Sequence, residues 1–305
     1  MKALVTGGLG FLGSNISDEL EAKNIYFRIL DKNKNSKVPK SRLDKTIFAD
    51  VTDKGAMRSL EREGFDLIFH FAAPCSNTQF IKDPLCLTET VNGMQNVMEL
   101  ARIVGAKVVY PTSGTVYSGQ FPQNEEVVLP MPISLYAAGK IMYEYVADYY
   151  KRIYNISSTG LRIFAGYGDR EEYKLDLASA ITLFLTPMLN GESPVIWGDG
   201  TQTRDFVYVK DISNIAVKIA LDSKSPRVIN VGSGEAHSFN DIVKVINEKL
   251  GTEIKPKYVE KPKGYLENTK GDISLARELY GLIPTTLDAG IKKYIEYRKT
   301  HHDGY

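Results

Sequence analysis

The chain has 305 residues, enough for one large α/β unit and a smaller lobe with no need of disulfide or metal staples. Its 38 basic and 37 acidic residues nearly cancel, which removes the electrostatic case for nucleic acid or an anionic membrane as main partner. Cys75 and Cys86 stand outside any CxxC or Cys/His ligand pattern, and no apolar run reaches the ~18 residues of a membrane helix, so a reducing, cytoplasmic setting is expected.

In chain order, short β-rich runs alternate with longer segments of helical period. Strands are expected near 2–6, 25–31, 46–49, 66–72, 106–112 and 157–163, and helices near 11–23, 53–62, 83–104 and 134–153. The alternation predicts an α/β architecture with a doubly wound parallel sheet covered on both faces. After Arg162 the rhythm becomes irregular, with Gly166, Gly168, Pro187, Gly191, Pro194, Gly198 and Gly200 breaking it, which suggests a second lobe. A strand over Arg227–Val231 and a helix near 239–250 follow, as if the chain returns to the main sheet before it finishes in the small lobe.

The first strand runs into Gly7-Gly8-Leu9-Gly10-Phe11-Leu12-Gly13 at the opening of a helix. A dinucleotide pyrophosphate approaches the backbone at such a helix N-terminus, where free N–H groups favour negative charge and a Cβ would obstruct. A plain tight turn is the competing reading. Asp31 ends the second strand about 20 residues on, where a carboxylate can accept from an adenosine ribose and repel a 2′-phosphate. NAD is therefore preferred over NADP, although Lys32 and Lys34 keep the phosphorylated cofactor in view. Asp50-Val51 after the third strand are positioned as adenine contacts, or else belong with Asp53 to a helix N-cap.

Tyr136 and Lys140 are four residues apart and share one helix face. A nearby ammonium, together with a positively charged nicotinamide, favours phenolate over phenol, so Tyr136 can act as a base. A Tyr-rich amphipathic helix is the blander reading, since Tyr143, Tyr145, Tyr149 and Tyr150 follow and read as packing residues. Ser113, at the end of the fifth strand, lies where open α/β sheets place ligand-binding groups, and its hydroxyl can steady an oxygen that changes between alcohol and ketone. Metal chemistry lacks ligands: His70 falls in a buried strand, His237 is isolated and His301-His302 lie in a polar tail.

Further stretches include Phe69-His70-Phe71-Ala72-Ala73, Val91-Asn92-Gly93, Ser113-Gly114-Thr115-Val116-Tyr117 and Trp197-Gly198-Asp199-Gly200-Thr201-Gln202-Thr203-Arg204-Asp205-Phe206. With the glycine turn, Asp31-Lys32-Asn33-Lys34-Asn35-Ser36 and the Ser113, Tyr136, Lys140 set in this order, the sequence resembles the extended short-chain dehydrogenase/reductase family. It is most like that family's UDP-glucose (UDP-galactose) 4-epimerases, over nearly the whole chain. The resemblance implies a Rossmann-type NAD-binding domain over 1–163 with a return segment at 206–232. A smaller α/β lobe, 164–205 and 233–305, would bind a nucleotide-diphosphate sugar.

By the same resemblance Gly7, Gly10, Phe11, Leu12, Asp31, Asn35, Asp50, Val51, Phe71, Ala72, Asn92, Tyr136 and Lys140 would line the NAD site. Ser113, Tyr136 and Arg204 would meet the substrate, Arg204 at its diphosphate; a surface salt bridge with Asp205 is the alternative for that side chain. The implied reaction is removal of the 4-hydroxyl proton by Tyr136 with hydride transfer from C4 to NAD, rotation of the 4-keto sugar, and hydride return to the opposite face. Sister 4,6-dehydratases carry an Asp-Glu pair where this chain has Gly114-Thr115, and nucleotide-glucuronate decarboxylases usually carry Glu at the Thr115 position, so epimerisation is favoured over both. A one-directional nucleotide-sugar reductase is a further alternative, and a non-catalytic NAD-binding regulator another. Ala165 stands where the family commonly has an Asn that contacts the diphosphate, and Pro74-Cys75 where some galactose epimerases have a Lys; both bear on which sugar and nucleotide are taken. The stretch Asp169–Lys174 reads as a charged, solvated loop without chemistry. Two amphipathic helices, near 83–104 and 134–153, resemble those that pair into a homodimer interface in this family.

Overall fold

Strand β1 (Lys2–Thr6) sends Ala3 and Val5 to one face of a sheet and Leu4 to the other, all fully buried, as period-two alternation requires when both faces are covered. The computed structural model describes residues 1–33, 39–262 and 265–301, and within them the next elements follow the expected order. They are α1 (Phe11–Ala22), β2 (Tyr26–Asp31), α2 (Lys40–Leu43), β3 (Thr46–Phe48), α3 (Lys54–Ser59), β4 (Leu67–His70), α4 (Asn77–Lys82), α5 (Cys86–Val104), β5 (Lys107–Ser113), α6 (Leu135–Tyr154) and β6 (Ser158–Ile163). The helix expected over 83–104 is α5, which begins at Cys86, and a separate short helix, α4, precedes it. Ser76 and Gln79 form a capping box that starts α4, while Asp83, the residue before Pro84, is extended and ends it.

The remaining chain forms β7 (Ala165–Tyr167), α7 (Ala180–Leu189), β8 (Val195–Trp197), β9 (Thr203–Arg204), β10 (Phe206–Tyr208), α8 (Val209–Leu221), β11 (Val228–Val231), β12 (His237–Ser238), α9 (Phe239–Leu250), β13 (Lys257–Val259), α10 (Ser274–Tyr280) and α11 (Leu287–Thr300). Strand β11 adds to the edge of the main sheet beside β6, giving the order β11-β6-β5-β4-β1-β2-β3, every pair parallel. Strand β10 pairs instead with β7.

Helices α1 and α8 pack Ile16, Leu20, Ile212, Ile215 and Ile219 on one face of the sheet, and α5 and α6 pack Met94, Val97, Met98 and Tyr143 on the other. A third cluster gathers Phe184, Phe206, Phe239, Ile242, Ile291 and Tyr294 from α7, β10, α9 and α11. From the C-terminal stretch, Ile273 and Ala276 join the core under α8 rather than that third cluster. The strand order reverses between β1 and β4, so their C-terminal ends diverge into a crevice, the place where doubly wound sheets receive ligands. Among the described residues no helix is long and apolar enough to cross a membrane.

Candidate active site

A cavity of about 1000 Å³ opens at that crevice. Its floor is the turn from β1 into α1. Gly7 has φ +69°, and a Cβ there would lie 2.7 Å from Ala72 N and Phe71 C, so the turn can press against the end of β4 only with glycine. At Gly10 a Cβ would meet the protein only at Gly7 O, 3.4 Å away. Gly10, whose own N–H donates to Gly7 O at 3.1 Å, and the first turn of α1, Phe11 to Gly13, line the cavity, so the N–H groups of that first turn and the helix dipole offer an anion cradle that a side chain would obstruct.

Asp31 ends β2 almost wholly buried on the cavity wall, accepting from Leu9 N with one carboxylate oxygen and from Asn33 N with the other, both at 3.0 Å. Burial raises its pKa, opposed by those N–H donors. The carboxylate thus braces the glycine turn and still faces the cavity, as a ribose partner must. Lys32, the residue that keeps a 2′-phosphate in view, pairs with Asp50 at 3.1 Å, while Lys34 and Asn35 lie outside the described residues. Asp50 and Val51 line the cavity, and the N-cap of α3 is Asp53, whose side chain accepts from Gly55 N and Ala56 N. Phe71 and Ala72 line it as well. Asn92 does not: it stands exposed on α5, and Asn96, one turn on, donates to the carbonyls of Val51 and Thr52.

At the other end of the cavity β5 and α6 bring Ser113, Tyr136 and Lys140 together. Both hydroxyl side chains face the same end of the cavity, and Ser113 favours the ionised form of the Tyr136 phenol. Lys140 Nζ donates to Pro111 O at 3.3 Å and lies 5.7 Å from the Tyr136 ring centroid and 4.7 Å from that of Tyr143. The sequence favours a phenolate at Tyr136, whereas in the protein alone burial dominates. It pushes the Tyr136 phenol up to about 12, Ser113 working against it, and Lys140 down to about 8. Ser113 also accepts from Thr115 N and Thr115 Oγ1, at 3.2 and 3.0 Å, where an acid would stand in a dehydratase.

Arg204 is not on this wall. Its guanidinium donates to the carbonyls of Thr203, Leu266 and Glu267 and stacks over Phe239 and Tyr265. The alternative bridge to Asp205 is also not formed. Asp205 turns inward to accept from Ser233 N, Ser233 Oγ, Gly234 N and Gly271 N. The stretch read as a solvated loop is likewise corrected, because Glu172 to Leu177 form one wall of the cavity. Cys75 and Gln79 line it too, and only their proximity to the end of β4 hints at this in the sequence. Among the described residues no group of three His, Cys, Asp or Glu side chains is placed to hold a metal ion.

Residues 3–232 match the model of the NAD dependent epimerase/dehydratase family. The chain belongs to that family. Its cofactor is NAD, and the open Gly10 cradle and the cavity-facing Asp31 fit that group. A putative UDP-glucose 4-epimerase of Methanocaldococcus jannaschii is 32% identical, the match covering 98% of this chain and 99% of that protein. The crystal structure of a Thermotoga maritima UDP-glucose 4-epimerase with UDP-glucose superposes with a TM-score of 0.92 at 28% identity, covering 99% of this chain and 100% of the other. A Thermus thermophilus UDP-glucose 4-epimerase in complex with NAD gives 0.88 at 27%, covering 98% and 99%. Relatives named as UDP-glucuronic acid decarboxylases also match 97% of the chain. The protein is thus an NAD-dependent enzyme of the nucleotide-sugar epimerase/dehydratase family.

Proposed function

We propose that this family member is a nucleotide-sugar 4-epimerase, acting on a UDP-sugar. The observation that carries the reading is the convergence of Ser113, Tyr136 and Lys140 on one end of the cavity whose other end is the glycine turn and Asp31. The M. jannaschii, T. maritima and T. thermophilus relatives, named as UDP-glucose 4-epimerases, support it. Gly114 and Thr115 leave no acid beside Ser113 of the kind that elimination or decarboxylation needs.

In this reading the glycine turn, Asp31, Asp50 and Val51 hold the adenosine and diphosphate of NAD, and Tyr136 and Lys140 flank its other end. NAD, when bound, supplies a hydride acceptor and donor and a positive charge. Tyr136 takes the proton of the 4-hydroxyl, and Ser113 hydrogen-bonds the same oxygen as it becomes a carbonyl. Lys140, beside the phenol, favours its phenolate form when protonated. The keto sugar turns in the cavity so that C4 would take the hydride back from bound cofactor on its other face, while Tyr136 returns the proton to the oxygen. The stretch 164–205 with 233–305 forms the sugar-nucleotide side. An exposed stripe on α6, Met142, Tyr145, Tyr149 and Ile153, supports a homodimer through α5 and α6.

Incubation with UDP-glucose, UDP-galactose and their N-acetyl forms, products resolved by chromatography while absorbance follows NADH, tests this. Interconversion of C4 epimers without net NADH is expected, and Tyr136→Phe lowers it at least a hundredfold with the fold intact. Accumulation of NADH with a stable keto product, or an intact rate in Tyr136→Phe, excludes the reading.

A further inference from the structure

The glycine turn Gly7 to Gly13 contains no basic residue, yet the cofactor's diphosphate is dianionic. Three cations line the cavity among the described residues: Lys32, Lys140 and Lys174. Lys32 is held at the Asp31 end by Asp50, and Lys140 is buried at the Ser113 end. Lys174 comes from the strap after β7, and its Nζ lies 5.5 Å from the ring centroid of Phe11, the first residue of α1.

The strap is fastened to α1 itself. Asn15 Nδ2 donates to Asp169 O at 2.9 Å, and Asp18 pairs with Arg170, so the helix that presents the anion cradle also positions Lys174 over it. The acids around Lys174 have other partners. Glu172 accepts from the Tyr294 and Tyr297 hydroxyls, and Asp176 pairs with Lys82 at 3.2 Å. Glu171 takes a long bond from Lys174, 3.4 Å, but also holds Ser179 N and Ser179 Oγ at 2.8 Å and the Thr182 hydroxyl. Glu171 would therefore keep three donors if the lysine swung away.

We infer that Lys174 is the cationic contact of the NAD diphosphate, reaching across the cavity mouth to the N-terminus of α1. A flexible four-carbon stem carrying a point charge suits that exchange from a weak intramolecular partner to a phosphate oxygen. The inference rests on the reading that the glycine turn holds the diphosphate.

Calorimetric titration of the nucleotide-free full chain with NAD, ADP-ribose and adenosine tests it. Lys174→Ala is expected to weaken NAD and ADP-ribose about tenfold, the scale of one charge-assisted hydrogen bond, and to change adenosine binding less than about twofold. Lys174→Arg restores most of the affinity, and the thermal midpoint of Lys174→Ala stays at the wild-type value because Glu171 remains satisfied. Unchanged NAD binding in Lys174→Ala, or an equal loss for all three ligands, overturns the inference. Gly10→Val, which fills the cradle, separates the two levels. If it abolishes NAD binding while Lys174→Ala does not, the assignment of Lys174 fails alone, and if neither variant weakens NAD, the placement of the diphosphate fails with it.

Discussion

Glu144 on α6 and Arg162 on β6 meet in a two-point ion pair with Nε and Nη2 at 3.0 and 2.8 Å from the carboxylate, both side chains sealed from solvent. Thr112 donates to the same carboxylate, and the guanidinium donates to Tyr117, which donates to Asn230 on β11. The network therefore fixes α6, which carries Tyr136 and Lys140, against the strand end that carries Ser113.

Removing one partner leaves a buried charge without compensation. Glu144→Ala is expected to lower unfolding free energy by about 3–5 kcal/mol, whereas the double exchange Glu144→Leu with Arg162→Met costs far less. Urea titrations of both variants give the comparison. A double variant no more stable than Glu144→Ala would mean that packing, not the stranded charge, sets the loss.

Much of this was legible in the sequence. Strands β1, β2, β4, β5 and β6 are short and largely buried on both faces, so their apolar runs stand out, and the glycine turn, Asp31, Ser113, Tyr136 and Lys140 are fixed by position along those elements. What was not legible depends on tertiary placement. Arg204 finds three carbonyls from two separate segments, and it is Asn96, one turn beyond the exposed Asn92, that holds the loop after β3. The strap 171–177 passes through Leu175 at φ +51°, a conformation no periodicity announces for leucine, and so its charged run reads as solvent-facing when it is a cavity wall.

His70 supplies an acid limb to stability. It is wholly buried between Thr6 Oγ1 at 2.9 Å and the Tyr143 hydroxyl at 3.1 Å, and burial, helped by the Lys140 charge, pushes it down to about 3. Unfolded, it titrates near 6.5. Below that pH the unfolded chain takes up a proton that the folded protein refuses, so stability falls as pH drops from about 6.5 toward 3, by up to about 1.4 kcal/mol per unit. His70→Gln lacks this limb, and the gap between wild type and variant should narrow from pH 7 to pH 5 in denaturant midpoints. A constant gap would show that folded His70 takes up its proton over the same pH range as the unfolded chain.

Two glycines of the same turn separate folding from cofactor binding. A Cβ at Gly13 would lie 2.3 Å from Gly7 O and 2.9 Å from Gly8 Cα, backbone that cannot withdraw, so Gly13→Ala is expected to cost about 1–3 kcal/mol. At Gly10 the nearest atom is 3.4 Å away, so Gly10→Ala should stay within about 0.5 kcal/mol of wild type while binding NAD more weakly. Thermal melts with and without NAD distinguish them. Equal melting of the two apo variants would count against the packing role of Gly13.

The stripe Met142, Tyr145, Tyr149, Ile153 advances by three and four residues along α6, which places it on one helix face, and each member is at least 39% exposed. Ile103 of α5 and Tyr154 add to this apolar surface, and isolated folded chains rarely leave such a run of large side chains in water. A second copy covering it by twofold symmetry brings four helices together and buries the same residues from both sides. Light scattering should give twice the chain mass, and Tyr145→Arg with Tyr149→Arg should shift the protein to one chain by setting like charges against each other across the axis. A wild-type mass of one chain would end the dimer reading, and a dimer that survives both arginines would move its interface to another face.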